Sequence, residues 1–179
     1  MIENIFVPDN PNDLELVITL TKKLAAECGL PYQELGMVDS HPEMNLTPSD
    51  EGKILINHNE LLLSLGKDGF ISLHEAPEKN MFYVYVFEKG ERPSSIAREL
   101  LRVGAEEFGA AAEGTTMQYG GTAKDGIIFN FHDSSFEDFM FENGVPHSIV
   151  TETPTSGNLE KRIKTITEII DTFIRLARA

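Results

Sequence analysis

FISLHEAPEKNMFYVYVFEKG, residues 70–89, decides how this chain folds. A short apolar run ends in His74-Glu75, and a turn bearing Pro77 leads into MFYVYVF, seven apolar residues without a break. Runs of this length between turn residues read as strands, here at 69–74 and 81–87. A strand apolar at every position is buried on both faces, as in a sheet covered by helices on either side. The first strand delivers an ionisable pair to its end. His74 there is a hydrogen-bonded structural residue, a proton carrier or a metal ligand, depending on what else converges on it.

The pattern alternates outward from this stretch. IFVP (5–8) predicts a short strand, and residues 12–28 a helix with Leu14, Val17, Ile18, Leu24 and Cys28 at helical spacing, stopped by Gly29. Residues 30–53, rich in Pro, Gly, Asp and Ser, predict a long connection, and such loops are usually functional or mobile. NHNELLLSLGK (57–67) predicts a helix, and SSIARELLRVGAEEFG (94–109) an amphipathic helix with a serine cap. GIIFNF (126–131) predicts a strand, SSFEDFMFEN (134–143) a short helix ended by Gly144, and HSIVTE (147–152) a further strand. The closing residues 158–179 form a helix whose apolar stripe is Ile163, Ile166, Ile169, Ile170 and Phe173, with Arg175 and Arg178 at its negative end. Strands alternating with helices imply an α/β layered fold with a largely parallel or mixed sheet.

A length of 179 residues suits one domain able to bury about two-thirds of its unfolded surface. The net charge is −14, from 29 acidic against 15 basic residues, a field that repels nucleic acid and anionic membranes. No apolar run approaches the roughly 18–20 residues of a membrane-spanning helix, and MIENIFVPDN lacks the features of a signal peptide. Cys28, the lone cysteine, forms no internal disulfide and reads as inert packing, so a cytoplasmic setting is expected.

In open α/β sheets, ligands gather at the carboxyl ends of the strands. His74 near one strand end and Glu152 near another can therefore face one site. Glu152 follows Ser-Ile-Val and precedes Thr153-Pro154, which hold the backbone extended. A carboxyl group held against an apolar sheet suits proton transfer near neutrality; a solvated strand end is the alternative.

These two segments resemble parts of the zinc carboxypeptidase superfamily, in its carboxypeptidase-like and aspartoacylase/succinylglutamate desuccinylase branches. The first is similar to a family strand ending in Leu-His-Glu, followed by an acidic turn and a Phe-Tyr-x-Tyr strand. The second, residues 125–163, resembles the family's closing block: a Ser-Phe-Glu-Asp helix, a Gly-x-Pro turn, a Thr-Glu-Thr-Pro strand and a Leu-Glu-x-Arg helix start. The resemblance implies a three-layer α/β/α domain over 1–179, with a mixed, largely parallel sheet, shortened at its N-terminal side or truncated. It further implies a zinc ligand at His74, a catalytic Glu152 that activates water, and an Arg162 that braces its helix against the site loop. The implied activity is zinc-dependent hydrolysis of a C-terminal peptide or N-acyl amide bond, with a peptide or acylated amino acid as substrate.

The family's His-x-x-Glu ligand motif is absent, as are its Asn-Pro-Asp-Gly and Asn-Arg substrate motifs. Three explanations stay open. His41 and Glu43, on one face of an extended His-x-Glu, substitute as ligands; the chain is one portion of a longer or split protein; or it is a metal-free binding or assembly module on the same scaffold. Missing sheet partners would leave an open edge and favour self-association into a homo-oligomer. His132, at the exit of GIIFNF, is a candidate to line the same crevice, with Asp133 as a cap. Tyr119, in a glycine-rich turn, is a candidate to close over substrate. His147, at the opposite end of its strand from Glu152, is expected to be surface or structural.

Overall fold

The structure is a computed structural model that describes residues 2–3, 32–33 and 57–178, apart from 78, 118, 119, 134 and 157. Strands β1 (Ile2–Glu3) and β2 (Tyr32–Gln33) pair in parallel. Then follow α1 (Asn59–Leu65) with a single 3-10 turn (Gly66–Asp68), β3 (Phe70–Ala76), β4 (Tyr83–Glu88), α2 (Ser95–Phe108) and β5 (Ile127–Phe129). Helix α3 (Phe136–Glu142), strand β6 (His147–Pro154) and helix α4 (Leu159–Ala177) complete the order. The strand expected at 5–8, the helix expected at 12–28 with Cys28, and the candidates His41, Glu43 and Tyr119 lie outside the described residues.

Four strands form one mixed sheet in the order β3-β6-β4-β5, with β3–β6 and β4–β5 parallel and β6–β4 antiparallel. Every residue of β4 is buried, Tyr83 to Phe87 as their apolar sequence predicts, and Glu88 with its carboxylate held by Ser94 and His147. Its alternate residues feed two cores. Phe82, just ahead of the strand, and Val84 and Val86 meet Ile96, Leu100 and Val103 of α2 and Ile169 and Phe173 of α4. On the reverse face Tyr83, Tyr85 and Phe87 cluster with Val150 of β6 and Ile128 of β5. Helix α3 packs on this second face, its Ser135 cap accepting the Asp138 N–H, so the fold is the expected helix–sheet–helix sandwich.

Several boundaries differ from the sequence expectation for physical reasons. Strands β3 and β6 each run two residues beyond it, to Ala76 and Pro154, because they pair with one another as far as Ala76 opposite Pro154. Strand β5 is shorter than 126–131. Asn130 takes φ +48° and its side-chain amide bonds the backbone of Glu88, capping the ladder in place of a further strand residue. Helix α3 ends where Gly144, at φ +99°, takes a conformation open to glycine. Among the described residues no helix is long and apolar enough to cross a membrane.

Candidate functional site

Strand register builds the site. His74 of β3 and Glu152 of β6 are directly opposed partners of a parallel pair, so their side chains rise from the same face of the sheet. His74 Nδ1 stands 3.5 Å from Glu152 Oε1. Glu152 is a residue of an inner strand, flanked by β3 and β4, and its side chain is 9% exposed, which removes the solvated strand-end alternative. His74 is more open, at 21%.

Helix α3 adds a second carboxylate. Glu137 turns toward the sheet with its side chain 2% exposed, and its Oε1 lies 3.8 Å from His74 Nε2. The Ser72 hydroxyl donates to that same oxygen, and the Ser148 hydroxyl donates to the Glu137 backbone carbonyl. Glu137 Oε2 is buried and has no hydrogen-bond partner among the described residues. The imidazole thus sits between two carboxylates, one addressing each ring nitrogen. A cavity of about 10 Å³, the room of one water, opens among His74, Phe87, Asp133, Glu137 and Glu152.

The other candidates fall around this centre. Asp133 lines the cavity and its carboxylate also accepts the Ser135 N–H, holding the turn into α3. His132, a candidate for the same crevice, does not line this small cavity; its Nδ1 meets Asp138 Oδ1 at 2.6 Å, and the ring packs between Phe87, a lining residue, and Phe141. His147 is structural, as expected, with Nδ1 2.7 Å from Glu88 Oε1 in a cluster completed by Ser94. Arg162 braces α4 through an ion pair with Glu75 of β3. Successive strand residues point to opposite faces, so the Glu75–Arg162 pair lies across the sheet from His74.

Glu137 is the functional candidate that sequence reading passed over. Ser-Phe-Glu-Asp read as a helix start, where acids are ordinary. The available signal was its spacing: Glu137 stands three and four positions before Met140 and Phe141, which places it on the apolar face of the helix.

A catalytic metal site uses three protein ligands. His74 suits one, with an acceptor behind its second nitrogen. Glu137 and Glu152 approach different nitrogens of its ring, so the described residues do not complete a centre at His74. Donor atoms that do converge belong to His132, Asp138 and Glu142, which lie within 4.8 Å of one another.

No protein-family model matches the chain, nor does any curated protein. Solved structures do. A "putative metallopeptidase" from Shewanella amazonensis SB2B superposes with a TM-score of 0.70 at 31% identity, covering 74% of this chain and 49% of that one. The protein so described from Shewanella baltica OS155 gives the same values, and that from Shewanella denitrificans OS217 gives 0.67 and 30%, over 75% and 50%. The fold is therefore metallopeptidase-like, and the chain spans about half the length of these structures.

Proposed function

We propose that this chain carries one side of a hydrolase centre that cleaves a C-terminal peptide bond or an N-acyl amide with the help of zinc. The observation that carries this reading is the opposition of His74 and Glu152 on one sheet face, on a fold shared with proteins described as metallopeptidases. His74 supplies one imidazole ligand, and the remaining ligands come from the 39–53 segment, where His41 and Glu43 are the candidates. A bound zinc ion supplies Lewis acidity and lowers the pKa of its water toward about 7.

Glu152 does the proton work. It takes the proton as the water oxygen attacks the carbonyl carbon, and returns it to the leaving nitrogen as the C–N bond breaks. Its partial burial keeps bulk water from competing for that proton. A net charge of −14 disfavours nucleic acid and anionic membranes as partners.

The small cavity and the incomplete ligand set favour one other reading, a binding or assembly module without metal. Hydrolysis assays separate the two. Zinc-supplemented protein is expected to release the terminal residue from N-acyl amino acids or C-terminal dipeptides, and His74→Ala to abolish that release. Equal turnover by the variant, or none by the unaltered protein across both substrate classes, sinks the hydrolase reading.

A further inference from the structure

We infer that the small cavity between β3, β6 and α3 receives a primary ammonium group of the substrate, and that Glu137 is the residue that selects for it. This selectivity rests on the hydrolase reading for the identity of its ligand as substrate, and gives that substrate a positive charge.

Glu137 is almost removed from solvent, and its Oε2 is buried with no hydrogen-bond partner among the described residues. The Ser72 hydroxyl serves Oε1 alone. A buried carboxylate oxygen left unmatched costs free energy, which favours a donor brought by a ligand. Glu137 lines the cavity, where Asp133 and Glu152 add two further carboxylates. Among the described residues no lysine or arginine lines it, and His74 is its one basic group. Negative charge gathered around a confined space attracts a cation, and charge-assisted hydrogen bonds are the strong ones. Tyr85 and Phe87 complete the wall with aromatic rings, whose faces also attract cations.

Size and shape choose among cations. The room is about 10 Å³, that of one water, which suits an ammonium group and not the broader guanidinium. A single metal ion fits it less well, because Glu137 and Glu152 address different nitrogens of the His74 ring. A water molecule supplies donors but no positive charge. A primary ammonium supplies three donors and the charge together. Glu137 lies deepest, 2% exposed against 9% for Glu152, so the ammonium is held at the inner end and Glu152 stays available for proton transfer. Ser148 of β6 holds the Glu137 backbone carbonyl and Ser72 of β3 its carboxylate, so the acceptor is fixed before a ligand arrives.

The test is titration of metal-free protein with n-butylammonium, followed through its backbone amides by nitrogen-15 NMR, with n-butanol and n-butylguanidinium as controls. Butylammonium is expected to shift amides of β3, α3 and β6 beside the cavity, and to bind at least about 10-fold more tightly than either control. Glu137→Gln, equal in size, is expected to lose that preference. Asp133→Asn keeps an oxygen for the Ser135 N–H and is expected to weaken binding by a smaller factor. Thermal melts confirm that each variant is folded; if Glu137→Gln is not, Asp133→Asn decides, and an unchanged preference there overturns the assignment. Competition identifies the amine: N-acetyl-lysine offers a side-chain ammonium and leucinamide an α-ammonium. Displacement of butylammonium by either supports the assignment and names the source, and displacement by neither overturns it. Binding no tighter than butanol, as in a cavity that holds only water, or a preference that survives Glu137→Gln, also overturns it. A protein that binds butylammonium through Glu137 yet hydrolyses neither substrate class keeps the ammonium site and loses the hydrolase reading.

Discussion

Replacing Glu152 by Gln is expected to lower kcat for amide hydrolysis by about 10²–10⁴-fold, the usual contribution of a positioned proton acceptor. Gln fills the same volume and can face His74 with its amide oxygen, so the opposed register of β3 and β6 is retained. What disappears is the ability to hold the water's proton and return it to the leaving amine. Substrate binding is expected to change little, because the lost interaction belongs to the transition state, and kcat and kcat/KM should fall together. Steady-state kinetics with an N-acyl amino acid or peptide substrate reads this directly. A variant with unchanged kcat would remove Glu152 from the chemistry.

The largest stability effect is expected at the contact of Phe82 with α2. Phe82 is fully buried, and its ring lies where a side chain on Gly104 would stand: a Cβ there would be 2.2 Å from Phe82 Cε1. Phe82→Ala is expected to cost about 3–5 kcal/mol through lost burial and the cavity left behind. Gly104→Ala improves helix propensity by about 1 kcal/mol, yet forces a fully buried ring to move. Overpacking of that kind costs about 1–3 kcal/mol, so the net change is expected to be destabilising. Combining Gly104→Ala with Phe82→Leu is expected to destabilise less than the two single costs summed, since the smaller side chain yields the space. Urea unfolding midpoints of the four proteins give the coupling. Additive costs would mean the helix and strand are not in contact at this point.

Phe82 also shows which parts of the fold were legible. MFYVYVF announced a strand buried on both faces because every residue is apolar, and the sheet has helices on each side. The serine before SIARELL announced the cap of α2, since a hydroxyl there satisfies an N–H that the helix leaves open. That His74 and Glu152 lie near strand ends was visible as well. Their direct opposition was not, because register between strands so far apart in sequence is set by tertiary packing. Glu137 and Ser72 escaped for the same reason: each looks local until α3 is laid on the sheet. For His132 a strand exit says where the chain leaves, not which way a ring turns; its Nδ1 meets Asp138, a partner the sequence did not single out.

The central claim is that the His74–Glu152 face is a metal-assisted hydrolytic centre. Zinc stoichiometry tests it most directly, measured on protein purified without chelator and on His74→Ala and His132→Ala. Stoichiometric zinc is expected in the unaltered protein and in His132→Ala, and loss of that zinc in His74→Ala. Zinc that survives the loss of His74, or fails to bind the unaltered protein at all, would contradict it.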